Sequence, residues 1–308
     1  MRVTVLAGGV GAARFLRGLV RVMDPAGLTV ICNVSDDFEW HGLHVSPDID
    51  TAIYTLAGLE GEHGWGIRGD TPAALDELAA LGEEPWFQVG DRDLATHVWR
   101  TQRLRAGQPL SEVTRALAAA RGLTCSIVPV TDDPHPTVVL TEDGELAFQD
   151  YFVRRRASDQ VCGLRFPGAA TARPAPGVLR AIEGAEAIIV APSNPFVSIG
   201  PVLEVPLVRQ ALATSGARKV AVSPIVGGRA VKGPAADMLR SLGHEVSALG
   251  VARLYQGVAD SFVLDRIDGA LAPRIEALGM RPHMTDTMMT SGEREMRLAA
   301  DVLAIAAR

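Results

Sequence analysis

The stretch Val3-Thr4-Val5-Leu6-Ala7-Gly8-Gly9-Val10-Gly11-Ala12-Ala13-Arg14-Phe15-Leu16 decides the fold class. Five apolar or β-branched residues run into three glycines within four positions. Apolar residues then recur at Phe15, Leu16, Leu19, Val20 and Met23. This change of period predicts a buried strand, a tight turn and an amphipathic helix. Leu28–Cys32 is a second apolar run, closed by the polar string Asn33-Val34-Ser35-Asp36-Asp37. Two strands joined by one helix predict a parallel β-α-β unit.

Further along, the pattern changes and then returns. Helical periodicity is expected over 50–59, 72–81, 91–105 and 111–121, with start signals at Ser46-Pro47-Asp48 and Asp70-Thr71-Pro72. Residues 126–166 read as short strands split by Asp132-Asp133-Pro134 and Glu142-Asp143-Gly144 turns. After Arg173-Pro174-Ala175-Pro176 the alternation resumes, with strands at 187–191, 219–223 and 261–264 and helices at 204–213, 234–242 and 291–307. The expected class is α/β. A Rossmann-like, mostly parallel sheet core would occupy 1–60 and 170–308, with a helical and small β subdomain inserted at 61–169.

Composition narrows the function. The 308 residues are 47% hydrophobic and 21% charged, which excludes a disordered chain. A net charge of −6 argues against a dedicated nucleic-acid binder. Cys32, Cys125 and Cys162 fit neither a disulfide framework nor a zinc motif. The opening MRVTVLAGG reaches glycine too early for a secretory signal, and no run approaches the ~20 apolar residues of a membrane span. A cytoplasmic protein is the expectation.

Chemistry is expected at the carboxyl ends of the parallel strands, where open α/β sheets place ligands. Gly9, Val10 and Gly11 lie between strand and helix, where free N–H groups and the helix dipole favour a phosphate. The dinucleotide fingerprint is broken by Arg14 at the third glycine's place, and no Walker Gly-Lys-Ser/Thr exists. A plain turn without ligand is the other reading. Asp36, Asp37, Asp48 and Asp50 fall on the same sheet edge. Carboxylates facing a diphosphate call for a divalent cation, with Asp36, Asp37 and Asp50 as candidate ligands, whereas spacing alone favours helix capping for Asp48 and Asp50. Gly90-Asp91-Arg92-Asp93 reads either as a cap or as an anion contact. Thr131-Asp132-Asp133-Pro134-His135-Pro136 reads as a turn. Ser193 and Asn194 follow a strand end, and Asn194 suits a purine edge or a ribose unless it only satisfies a tight turn.

In combination these strings are more specific. Ala7-Gly8-Gly9-Val10-Gly11, Ser46-Pro47-Asp48-Ile49-Asp50-Thr51, Gly90-Asp91-Arg92-Asp93, Phe148-Gln149-Asp150-Tyr151-Phe152, Pro192-Ser193-Asn194-Pro195 and Val222-Ser223-Pro224-Ile225 occur in the order found in one family. The chain resembles, essentially end to end, the 2-phospho-L-lactate transferases of coenzyme F-420 biosynthesis (CofD in archaea, FbiA in actinobacteria). Gln88 and Lys232-Gly233-Pro234 replace archaeal patterns and lean toward the actinobacterial branch. The resemblance implies a magnesium-dependent homodimer. It implies transfer of a phospholactyl or phosphoenolpyruvyl group from a guanosine diphosphate ester to the ribityl hydroxyl of the deazaflavin Fo, releasing GMP. It places Asp50 at the deazaflavin site, as catalytic residue and acceptor contact, with Asp48 and Gln88 beside it. The alternative is a nucleotide- or sugar-nucleotide-binding regulatory protein of the gluconeogenesis-factor type, which shares the glycine loop.

Overall fold

Seven strands form one parallel sheet: β1 (Val3–Ala7), β2 (Leu28–Cys32), β3 (Ser126–Pro129), β4 (Ala187–Val190), β5 (Arg218–Val222), β6 (Ser261–Asp265) and β7 (Arg281–Thr285). They are seen in a computed structural model that describes residues 1–307. Their order is 3-2-1-4-5-6-7, and every neighbouring pair is parallel. The first six positions match the doubly wound dinucleotide-fold order, whose strand sequence reverses between β1 and β4. The central strands are apolar because both of their faces are covered. Leu6 pairs with Ile31 on one side and Val190 on the other, and all three are buried.

The β1 turn opens α1 (Gly9–Val22), which buries Phe15, Leu16 and Leu19 against the sheet. After β2 a short hairpin, Phe38–Trp40 with Leu43–Val45, turns through His41 and Gly42, both at positive φ as a tight hairpin requires. Then come α2 (Pro47–Leu56), α3 (Ala73–Ala80), α4 (Asp91–Arg105) and α5 (Leu110–Ala120) before the chain returns as β3. Between β3 and β4 lies a three-stranded antiparallel sheet, with Val138–Thr141 flanked by Gly144–Ala147 and Val161–Arg165. The last helix, α6 (Gly292–Ala306), crosses α1 so closely that a Cβ on Gly18 would lie 2.3 Å from the Glu295 carbonyl oxygen. Arg17 joins the two helices and the α2 exit through ion pairs with Glu295 and Glu60. Among the described residues no single helix is long and apolar enough to cross a membrane.

The structure departs from the sequence expectations in several places. Ser126–Pro129 is an edge strand of the main sheet, although it falls within the 61–169 span. The helix expected at 204–213 is two pieces, Gly200–Glu204 and Val208–Thr214, because Pro206 holds Val205 extended and Leu207 turns at φ 71°. β7 and the helix Ala248–Leu254 were not anticipated. β7 carries Arg281, Pro282 and His283, and an edge strand tolerates proline because one side of its ladder is unpaired. α2 begins at Pro47 rather than at 50, with proline in the first turn.

Candidate active site

The strand order reverses between β1 and β4, and a crevice lies at the carboxyl edge of the sheet there. The cavity there is about 460 Å³, within the size range of small-molecule sites. Its floor is built by Gly8-Gly9-Val10-Gly11 after β1 and Pro192-Ser193-Asn194 after β4. Two glycines are demanded by this geometry. Gly9 sits at φ +74°, and a Cβ on Gly11 would fall 2.4 Å from the Pro192 carbonyl oxygen. The two loops therefore meet backbone to backbone.

Asp48 lies under the glycine loop. Its Oδ1 accepts from the Gly9 N–H at 2.7 Å and its Oδ2 from Asn33 Nδ2 at 2.9 Å. Burial pushes its pKa up to about 6, against the pull of those two bonds. Asp36 lines the same crevice, and its buried Oδ1 has no partner. Burial and the neighbouring Asp48 charge hold its pKa well above the usual carboxylate range. Asp37 faces elsewhere. It accepts from Ser46 Oγ at 2.7 Å, is bonded to His44 Nε2 at 2.9 Å, and lines a separate hollow with His135.

The opposite wall comes from α2 and α4. Asp50 Oδ1 accepts from the guanidinium of Arg100, which is only 1% exposed, while Asp50 Oδ2 is buried without a partner. Arg100 also reaches His97 Nδ1 at 3.2 Å. His97 lies 3.7 Å from Asp50 and 3.6 Å from Asp93, and Asp93 accepts from the Tyr54 hydroxyl at 2.8 Å. Burial is the largest cause of both pKa shifts here. It lowers His97 to about 4, against the Asp50 charge, and raises Asp93 to about 7, with the Asp50 charge adding to it. Asp50, Asp93 and His97 are spaced closely enough to hold a metal. Arg100 already places a positive charge on Asp50, which opposes a second cation there.

Neither acidic residue of α2 caps its own helix; each reaches across to another element. Asp70 does the capping for α4, accepting from the Arg92 and Asp93 N–H groups at 2.9 and 3.0 Å. Asp91 accepts from the Ala74 N–H of α3 at 2.8 Å, so Gly90-Asp91-Arg92-Asp93 is a capping element and Arg92 lies outside the crevice. Asp132 takes the Ser111 N–H and hydroxyl, which makes its turn a cap for α5.

Of the residues singled out in the sequence, Gly9, Val10, Gly11, Asp36, Asp48, Asp50, Gln88, Ser193 and Asn194 line the one crevice, and Asp37 does not. Asn194 is already engaged. Its Oδ1 accepts from the Phe196 N–H at 2.9 Å and its Nδ2 lies 3.4 Å from Met238 Sδ. Ser193 Oγ is buried without a partner. Sequence reasoning missed the cations Arg14 and Lys232, together with Asp93 and His97. Lys232 is one of only two lysines in the chain; it donates to the His63 carbonyl oxygen, and burial and Arg14 lower its pKa. Arg14 had a signal, since it stands where the dinucleotide fingerprint wants glycine. Trp65, Phe87, Phe148 and Phe152 supply an aromatic rim, with Phe148 and Phe152 stacked at 5.5 Å.

A phosphoenolpyruvate transferase of Streptomyces griseus is 45% identical over 99% of this chain and 98% of its own. A 2-phospho-L-lactate transferase of Methanosarcina acetivorans is 38% identical over 98% of both chains. A crystal structure of a Bacillus halodurans protein superposes with a TM-score of 0.66 at 14% identity, covering 98% of both chains, a likeness of fold. Residues 3–301 match the family described as 2-phospho-L-lactate transferase CofD. The chain belongs to that transferase family.

Proposed function

We propose that this protein transfers a phosphorylated three-carbon acid, phospholactyl or phosphoenolpyruvyl, from its guanosine diphosphate ester to the ribityl hydroxyl of the deazaflavin Fo. The hydroxyl oxygen attacks the phosphorus bearing the acid, and GMP leaves. The observation that carries this reading is a single crevice with two unlike walls. One wall offers a helix N-terminus, Arg14 and Lys232, which suit a diphosphate. The other offers a buried carboxylate with one free oxygen, Asp50, and the same cavity is lined by the aromatic rings of Trp65, Phe87, Phe148 and Phe152, which suit a planar ring.

Phosphoryl transfer is mostly positioning and charge neutralisation, so few reactive side chains are required. The glycine loop presents backbone, although the Gly9 N–H is already held by Asp48. The N–H groups beyond Gly9, the Ser193 hydroxyl and the two cations remain for the donor. Magnesium fits one carboxylate best. Asp36 has an unpaired buried oxygen and a neighbouring carboxylate, so a cation there would relieve both burial and repulsion. When bound, the ion would neutralise the donor's phosphate charge. Asp48 has no free oxygen, and Asp37 faces away.

The test is incubation of the purified protein with Fo, magnesium and each guanylylated acid. The expected result is GMP release that requires Fo, with a product carrying the added phosphodiester mass. GMP release independent of Fo, or no release from either ester, rejects the reading.

A further inference from the structure

Two segments from distant parts of the chain meet above the glycine loop. Residues 60–67 close on themselves: Glu60 and Ile67 bridge antiparallel at the stem, and the Gly61 N–H donates to the Gly66 carbonyl oxygen at 3.0 Å. The stem is anchored, since Ile67 is buried and Glu60 pairs with Arg17. The tip rests on the glycine loop. A Cβ on Gly64 would fall 2.6 Å from Val10 Cγ1 and 3.5 Å from Lys232 Nζ. Among the described residues, the tip at 61–66 makes one hydrogen bond outside itself, which the His63 carbonyl oxygen accepts from Lys232. Lys232 belongs to the second segment, 231–234, which follows the hairpin of Ile225–Val226 with Arg229–Ala230. Both segments line the crevice, and each leaves a large apolar side chain half in water there: Trp65 is 43% exposed and Val231 46%. That is apolar area still to be buried, on both sides of one hydrogen bond. The Lys232 ammonium has three N–H donors, and His63 takes one. Partial burial and the Arg14 charge lower its pKa, so an anion between the two cations stabilises the charged form.

We propose that residues 61–66 and 231–234 are a two-part cover over the donor end of the crevice, and that Lys232 latches it by bonding the donor's phosphate and the His63 carbonyl oxygen together. The inference rests on the reading of the glycine loop as the seat of the donor diphosphate. Closure buries Trp65 and Val231 and excludes water from the phosphorus under attack. That exclusion decides which nucleophile is used. When the acceptor hydroxyl attacks, its oxygen bonds to phosphorus, the bond from phosphorus to the bridging oxygen breaks, and GMP leaves with the electron pair. When water attacks instead, its oxygen takes the same place, GMP leaves in the same way, and the phosphorylated acid is lost to solution with a proton. A latch that responds to phosphate closes the cover only over a bound donor.

The test follows acrylamide quenching of tryptophan fluorescence with and without GDP and magnesium, the difference between wild type and Trp65→Phe isolating Trp65, while calorimetry follows GDP binding. Saturating GDP is expected to at least halve the quenching of Trp65 in wild type. Lys232→Met is expected to show no such protection even at saturating GDP, and Lys232→Arg to regain part of it. A lysine that only binds phosphate would weaken GDP binding and leave the protection at saturation unchanged, which overturns the latch. In the transfer assay Lys232→Met is expected to release more GMP than it forms phosphodiester; release that matches product one to one overturns the role in excluding water. If Lys232→Met does not fold, Gly64→Ala decides by the same readings, because its Cβ lifts the tip from Val10. GDP that binds wild type without changing Trp65 overturns this inference alone. A wild type that binds no GDP overturns it together with the donor reading on which it rests.

Discussion

Two walls of one crevice use the same residue type in opposite ways. On the glycine-loop wall, Asp48 commits both carboxylate oxygens to internal donors, Gly9 N–H and Asn33 Nδ2, and so stiffens the loop. On the helical wall, Asp50 gives one oxygen to a buried guanidinium and leaves the other bare. Both are buried, two residues apart on α2, and indistinguishable by type. A carboxylate whose bonds are complete holds structure together, and one left half-bonded in a cavity is available to a ligand. Asn194 and Ser193 repeat the lesson on the β4 loop: the amide is occupied and the hydroxyl is free.

The largest expected effect sharpens the contrast. Asp50→Asn should lower transfer by roughly 100- to 1000-fold, the loss typical of removing one positioned electrostatic partner. It also leaves the Arg100 charge buried without its counter-ion, which costs about 3–5 kcal/mol of stability. The double variant Asp50→Asn/Arg100→Met removes both charges, and is expected to recover much of the melting temperature and none of the turnover. Recovery of turnover in the double variant would show that the charge pair served only the fold.

Next in size is Gly11→Ala. Its Cβ would meet the Pro192 carbonyl oxygen at 2.4 Å, and overpacking against backbone costs about 1–3 kcal/mol or more. A larger residue at Gly11 therefore tests loop packing before it tests donor binding, so melting temperature and GDP affinity must be read together. An unchanged melting temperature would mean that the two loops separate freely.

Asp93 gives a pH-dependent contrast. Its pKa is raised to about 7 by burial and by the Asp50 charge, against about 3.9 in an unfolded chain. Between those values the unfolded state releases the proton and the native state holds it. Stability from this group is therefore present below pH ~4 and lost as the pH rises through 7. Relative to wild type, Asp93→Asn is expected to gain a few kcal/mol at pH 8, on the order of 1.4 kcal/mol for each unit of the shift, and nothing at pH 4 by urea melts. Equal effects at both pH values would make Asp93 an ordinary ionised acceptor for Tyr54.

The smallest effect is expected at Asn194. Its Oδ1 caps the turn that begins at Pro195, so Asn194→Ala should cost about 1 kcal/mol and shift the donor's KM little. A large rise in that KM at unchanged melting temperature would move Asn194 to the ligand side of the contrast.

Much of this was legible in the sequence, for physical reasons that also explain the rest. β1, β2 and α1 declare themselves because an apolar run, a glycine turn and a 3.6-residue period are local signals. The edge strand β7 does not, since Arg281, Pro282 and His283 carry no apolar pattern and depend on β6 for their ladder. The glycine loop and the Asp48–Asp50 region mark the crevice by their place after strands. Which of those carboxylates is free is set by Asn33, Gly9 and Arg100, partners from other segments that no spacing rule reveals. His97 and Asp93 are legible only as members of an ordinary helix until α2 packs against it. Lys232 arrives from beyond β5, more than 200 residues from the loop it joins.

The contrast is tested most directly by acceptor-dependent GMP release from Asp48→Asn and Asp50→Asn, measured beside wild type at saturating Fo, donor and magnesium. If Asp48 is a strut and Asp50 works on the acceptor, Asp48→Asn keeps turnover within roughly tenfold of wild type while melting earlier, because one of its two internal bonds is lost. Asp50→Asn then loses roughly 100-fold or more. Equal losses in the two variants, or the larger loss in Asp48→Asn, would contradict the division of labour between the walls.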